Sequence, residues 1–347
     1  MRRNDSAVAP GAGERRVVTL KEVAAEAGVS ISTVSRILDE RTAQSQSATA
    51  VRVREIANEL GYRRNVFASQ LRRGSTSTIG VLVPRLSDTV MALMYEAVER
   101  AAAARGYVAV VATTGDDAEG EQRAAQVLLD RNVDALIIAS SRRVDSFPQS
   151  LQESGIPLAL VLRTDGVSPS SLGDDEVGGY LAVRHLIDLG HRDIALVTGP
   201  DFTSSARDRL AGALRAAREA GIEIPPHRIA GDGFRIEHGA AAAERILDAA
   251  DVPPTAIFAA NDNLALGVMA ASHRHGLRIG TDLALVGYND VPLAEALPVP
   301  LTSVRTSFDQ IATTALELLL TPGAGPVIRR AMPTLIPRAS SCPPPQR

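Results

Sequence analysis

The chain has 347 residues, 45% hydrophobic and 22% charged, with a formal charge of −3 at pH 7, enough for a sizeable core divided over two or three domains. One cysteine, Cys342, excludes a disulfide framework and a cysteine-rich zinc module. The charge is unevenly placed: residues 1–74 hold 13 Lys and Arg against 8 Asp and Glu, the rest 24 against 32, a basic head on an acidic body in which only the head suits phosphates.

Residues 1–16 carry arginines with no apolar run behind them, and no later window approaches about 18 consecutive apolar residues. They read as a disordered arm of a cytoplasmic, nucleoid-associated chain without signal peptide or membrane span. TLKEVAAEAGVSISTVSRIL, residues 19–38, then reads as two short helices meeting at a glycine turn. Thr19 caps the first, with Glu22 completing a capping box and Leu20, Val23, Ala24 and Ala27 forming an apolar stripe. Gly28 supplies the turn, and Ser30 caps a second helix that turns Val34, Ile37 and Leu38 inward. Its outward face carries Ile31, Ser32, Thr33, Ser35 and Arg36. An arginine can fork onto guanine O6 and N7, hydroxyls reach phosphates or base edges, and an apolar side chain can touch a thymine methyl.

A polar run over 39–47 leads to a third helix carrying Val51, Val53, Ile56, Ala57 and Leu60 at helical spacing and stopped by Gly61. RRNVFASQLRRGST follows, a short basic linker that needs a partner or DNA to order it. From Thr78 onward, apolar strands over 79–84, 107–113, 134–140, 157–162, 193–199, 255–260 and 283–289 alternate with helices over 90–105, 120–131, 177–189, 205–220, 239–250, 264–275 and 308–320. Such strands belong to parallel sheets covered on both faces. Their number points to two lobes with a ligand crevice at the strand C-terminal ends.

ELGYRRN, IGVLVP, HLIDLGHRDIALVTGP, RDRLAGAL, TAIFAANDNLALGVM, LALVGYND and PLTSVRTS follow the helical hairpin in order. With these motifs the chain resembles the LacI-type family of transcription regulators, over about residues 17–341. The resemblance implies a three-helix helix-turn-helix domain (17–63), a hinge helix (64–77) and a two-lobed periplasmic-binding-protein-like domain of type I (78–341), followed by a tail over 342–347. The first lobe would take about 78–178 and 308–330, the second about 179–307 and 331–341. It implies a repressor bound as a homodimer to a palindromic double-stranded DNA operator, with affinity set by a small molecule, a sugar (carbohydrate) or related metabolite, between the lobes.

Carried over position by position, the family pattern assigns base reading to Ile31, Ser32 and Arg36, and backbone contact to Thr19, Thr33, Ser35 and Asn65. It makes Leu71 the hinge residue wedged into the minor groove. Thr33 and Ser35 fit a capping or packing role equally. Effector positions fall on Asp88, Arg163, Asp174, Arg209, Phe234, Asn261, Asp262 and Asn289, although Asp262 also reads as a helix cap and Phe234 as core. Against the pattern, residues 87–91 lack aromatics, Leu162 stands where an aspartate is frequent, and Asn289 replaces an acid. Arg64 precedes Asn65 in place of proline, and Phe67 occupies a position that commonly holds a smaller aliphatic. With aromatics at 3% and no Trp, a stacking platform for a sugar is thin.

Rival readings fit less well. A solute-binding protein would share the body but needs an export signal and lacks the basic head. A Rossmann enzyme needs GxGxxG after a strand, and none closes IGVLVP, DIALVTG or LALVGYN. No catalytic, metal or cofactor constellation is expected; His273 and His275, at i and i+2 on a helix, face apart. Control by a protein co-regulator in place of a small effector stays open. No heptad repeat follows Ser341, so a dimer is the expected assembly.

Overall fold

The computed structural model describes residues 18–38, 45–62, 75–249, 252–320 and 328–345. The arm, Asn65, Leu71 and nearly all of the expected hinge helix lie outside them. Two compact units divide the chain, residues 1–75 and 76–347.

In the first unit, helix α1 (Leu20–Ala27) starts at a complete capping box: the Glu22 amide donates to Thr19 Oγ1, and the Thr19 amide to Glu22 Oε2 at 2.7 Å. It ends at Gly28, whose φ of 68° lies in the left-handed region. Helix α2 (Ile31–Ile37) is capped by Ser30, and α3 (Ala48–Glu59) by Ser47. Val23, Ala24, Ala27, Val34, Val53 and Ala57 form the shared core. Leu60, expected in that stripe, is 39% exposed, because α3 has already ended and the chain is turning toward Gly61.

The second unit holds two six-stranded sheets. Strands β1 (Thr78–Val83), β2 (Val108–Thr113), β3 (Ala135–Ile138), β4 (Leu158–Val161), β5 (Ser170–Gly173) and β11 (Ile328–Ala331) form the first lobe, all parallel, in the order β11-β5-β4-β3-β1-β2. The second sheet contains β6 (Ile194–Val197), β7 (Ile229–Ala230), β8 (Ala256–Ala259), β9 (Ala284–Asn289), β10 (Thr302–Arg305) and β12 (Thr334–Ile336), in the order β12-β10-β9-β8-β6-β7. Its one departure from parallel pairing is β12, antiparallel to β10.

Helices cover both faces of each sheet, as near-continuous apolar strands require. In the first lobe α4 (Thr89–Ala103) and α12 (Phe308–Leu320) pack on one side, α5 (Ala118–Leu129) and α6 (Phe147–Glu153) on the other. In the second, α7 (Asp175–Asp188) and α8 (Ser204–Glu219) oppose α9 (Ile236–Asp248) and α10 (Asp262–Arg274); a short α11 (Pro292–Ala296) follows β9. The chain crosses between sheets after β5, β10 and β11. The first crossing lies at Gly173 and Asp174, a few residues before the switch at 178–179 expected from sequence, because α7 belongs wholly to the second lobe. There α7 crosses α8 so closely that a methyl on Gly179 would stand 2.0 Å from the Arg209 carbonyl oxygen.

Candidate nucleic-acid interface and effector cleft

On the helix-turn-helix, packing buries Val34 and leaves the opposite side of α2 in solvent. Ile31 is 44% exposed, a large apolar side chain placed among polar neighbours at the start of the helix. Ser32 and Arg36 are exposed, Thr33 and Ser35 half-buried. The Ser30 hydroxyl lies 2.8 Å from both Ser32 Oγ and Thr33 Oγ1 and accepts the Thr33 amide, so these three hydroxyls form one cap at the N-terminus of the helix. Thr19 Oγ1 is likewise engaged, donating to Glu22 at 3.0 Å. Thr33 therefore has a structural task whether or not it also meets a phosphate.

In the second unit, six of the eight effector positions named from the sequence line one cavity between the lobes: Asp88, Arg163, Arg209, Phe234, Asn261 and Asn289. Asp88 and Arg163 come from the first lobe, the others from the second. Strand ends and helix starts deliver most of them, where free backbone groups concentrate, while Arg209 reaches in from the second turn of α8. Asp88 caps α4, accepting from the Val90 amide at 3.0 Å and from Asn263 Nδ2 across the cleft at 3.4 Å. Its burial raises the carboxyl pKa. Asn261 caps α10 and donates from Nδ2 to the Phe234 carbonyl at 3.1 Å, tying the aromatic loop to the helix.

Arg209 is held on three sides. Its Nε donates to Asp175 Oδ1 at 2.7 Å, Nη1 to the Ala260 carbonyl at 2.6 Å, and the guanidinium lies 3.7 Å over the Tyr288 ring. A fork fixed in this way spends little entropy when its remaining N–H groups meet a ligand. Arg163 is 3% exposed, and that burial lowers its pKa against the opposing pull of Asp116. Asp116 is shared, Oδ1 with Arg163 at 3.1 Å and Oδ2 with Arg85 at 2.9 Å. Across the cleft, Arg163 faces the Phe234 ring at 5.6 Å.

Asp174 and Asp262 do not reach the cavity. Asp174 caps α7, accepting from the Val177 amide at 3.1 Å. Asp262 is buried against β9 and β10, where it accepts from Ser303 Oγ at 2.6 Å and the Val291 amide at 2.8 Å; burial pushes its carboxyl up to about 7. The cavity instead adds Val90, Met91, Leu162 and Ser205. Ser205 was legible, since it lies one helical turn from Arg209 on α8. Leu162 falls where the family pattern often has an aspartate; what the sequence did not show is its φ of 63°, a conformation bulky side chains rarely adopt, shared by Asn289 at 98° on the other lobe.

The cavity holds about 30 Å³, room for a water or two. A metabolite needs several hundred Å³ and enters only as the lining side chains or the lobes part. Away from the cleft, His275 pairs with Glu244 and Asp248 at the surface, the three ligand atoms within 4.8 Å of one another. Arg274 takes the other Glu244 oxygen at 2.6 Å, making this an ion-pair cluster.

Comparison with known proteins places this geometry. The pattern for bacterial regulatory proteins of the lacI family matches residues 19–65, and that for a periplasmic binding protein-like domain matches 183–341. The ribose operon repressor of Haemophilus influenzae is 34% identical over 308 residues, covering 88% of this chain and 91% of its own. The chain belongs to the LacI family. Among other LacI-family proteins, the transcriptional repressor PurR of Vibrio parahaemolyticus is 32% identical over 310 residues, with 88% of this chain and 91% of the relative covered. The Lac repressor dimer bound to operator and the anti-inducer ONPF superposes with a TM-score of 0.80 at 30% identity, covering 94% of this chain and all of that one. The regulator CelR in complex with cellobiose gives 0.71 at 30% identity, covering 93% and 100%. As a LacI-family member the chain is a DNA-binding regulator of transcription, not an enzyme. No helix among the described residues is long and apolar enough to cross a membrane.

Proposed function

We propose that this LacI-family chain is a cytoplasmic repressor that binds a palindromic operator as a homodimer, and that a small molecule of the carbohydrate class in the inter-lobe cleft sets its operator affinity. The observation that carries the reading is the convergence of Asp88 and Arg163 from one lobe with Arg209, Phe234, Asn261 and Asn289 from the other around a single cavity. A ligand bridging both lobes binds one interlobe angle better than another, and that difference is the only currency by which it can bias DNA binding.

Ile31, Ser32 and Arg36 read bases, while Thr19, Thr33, Ser35 and Asn65 hold the backbone and Leu71 wedges the minor groove. Control by a protein co-regulator is the less favoured reading, since the structural relatives are described with small ligands, ONPG, ONPF and cellobiose. Footprinting the purified protein on DNA upstream of its own gene, with and without a sugar panel, tests both halves. A symmetric footprint that a sugar weakens or strengthens supports the proposal; an asymmetric footprint, or one indifferent to every sugar, counts against it.

A further inference from the structure

Two arginines of the first lobe each face a phenylalanine of the second. The inner pair is Arg163 and Phe234, 5.6 Å apart at the central cavity. The outer pair is Arg142 and Phe202, at 4.2 Å, beside which the Arg143 amide donates to the Phe202 carbonyl at 2.8 Å. Both arginines rest on one residue: Arg163 holds the Asp116 carboxylate at 3.1 Å, and Arg142 Nη2 donates to the Asp116 carbonyl at 2.6 Å. The phenylalanines are tied as well, because the Phe234 ring lies against Gly199, in the loop that carries Phe202, so tightly that a methyl there would be 2.2 Å from the ring.

Position gives the outer pair its leverage. The chain crosses between lobes after β5, β10 and β11, whereas Arg142 follows β3, two strands from β5, and Phe202 follows β6, three strands from β10. At about 4.8 Å per strand, the pair stands roughly 10–15 Å from those crossings. A contact beside a hinge leaves the angle free, while one this far out resists opening. Two lone hydrogen bonds accompany it, the Thr164 amide to Ser204 Oγ at 2.9 Å and Asn263 Nδ2 to Asp88 Oδ1 at 3.4 Å. Both arms are braced: Asp145 accepts the Arg142 amide at 3.3 Å, and Thr203 Oγ1 ties the other loop to the Pro200 carbonyl at 2.9 Å. Groups preset in this way lose little freedom on meeting.

We propose that Arg142 and Phe202 form a clasp that holds the lobes shut over the central cavity, so that the cleft opens to a small molecule only when this contact breaks. Neither side chain lines the cavity. The inner pair yields to a ligand that fills the space, while the outer pair stays clear of it and sets how often the cleft opens. The inference goes beyond the effector proposed above, holds for any chemical class of ligand, and is tested without one.

A thiol inside the cavity reads the opening. Ser205, which lines the cavity and is 5% exposed, is replaced by cysteine in the full chain carrying Cys342→Ser, and its alkylation by iodoacetamide is timed. Met91→Cys gives the same reading from the opposite wall. Phe202→Ala is expected to speed alkylation of either thiol by about threefold or more, the scale of one lost arginine–aromatic contact. Phe202→Tyr keeps the ring and should keep the parent's rate. Val252→Cys, exposed on the second lobe, is the reference and should react alike in all three backgrounds. Cavity thiols that react no faster in Phe202→Ala overturn the clasp. Acceleration accompanied by a lower urea midpoint, or shared by Phe202→Tyr, overturns it too, since the lobe itself would then have loosened.

Discussion

Arg209 and Asp175 form an ion pair almost without water: Nε stands 2.7 Å from Oδ1, and the two side chains are 7% and 6% exposed. Burial raises the Asp175 pKa and the arginine opposes it, so the carboxylate depends on its partner to stay charged. Breaking such a pair from one side costs about 3–5 kcal/mol, while replacing both partners with apolar groups is often neutral. Arg209→Ala is therefore expected to lower unfolding free energy by about 3–5 kcal/mol and to abolish the effector response. Arg209→Met with Asp175→Leu should regain most of that stability in urea denaturation and still fail to respond. A double variant that responds normally would remove Arg209 from the ligand site.

Glu121 gives a pH dependence of definite sign. Burial is the main cause that lifts its carboxyl to about 7, while the Ser140 hydroxyl, donating at 2.8 Å, pulls the other way. Its unfolded value is about 4.3, so the folded state binds the extra proton between the two values. Its contribution is fully present below the unfolded value and is lost as pH rises toward and through 7, a change of roughly 3 kcal/mol. Glu121→Gln keeps the shape and removes the titration. Urea midpoints of variant and parent should converge at about pH 4 and separate by pH 8, with the variant more stable; parallel pH profiles would show that Glu121 titrates normally.

What was legible in the sequence follows from what each element buries. Six of the seven strands read from the sequence lie inside their sheets with both faces covered, so nearly every residue is apolar, whereas β2 is an edge strand with Val108 and Val110 exposed and read through its β-branched run. Strand β5 did not, since SSLG is buried through hydroxyls that find partners inside: Ser171 Oγ donates to the Ile311 carbonyl at 2.8 Å. Strands β10 and β12 are short and lie toward a sheet edge, and β11 keeps two exposed arginines. Helices α6 and α11, of seven and five residues, are too short to show a period and are marked by proline in the first turn. At the cleft, Arg209 declared itself by motif. Asp262 and Asn261 are adjacent in the same loop, and only the fold shows that one turns under the sheet while the other faces the cavity.

The cap of α2 carries more than a helix end. Ser30 Oγ accepts the Thr33 amide at 3.1 Å and holds the hydroxyls of Ser32 and Thr33, so it orients the first turn of the helix assigned to DNA. Ser30→Ala should cost about 1 kcal/mol of helix stability, read as a lower denaturation midpoint of the head unit by near-terminal probes, with weaker operator binding. Ser30→Asp, an equally good cap, should restore the midpoint. If alanine and aspartate behave alike, the hydroxyl cluster does not support the helix.

Arg36 lies exposed on the same face, one turn beyond Ser32. A bidentate arginine contact discriminates between bases by about 1–3 kcal/mol, whereas a phosphate contact weakens all sequences alike. Arg36→Ala should therefore flatten preference at one base pair in each half-site by that amount, while the salt dependence of binding changes little. Competition binding over an operator library with every base substituted in turn reads this directly. A uniform loss across the library, with a shallower salt slope, would move Arg36 from the bases to the phosphate backbone.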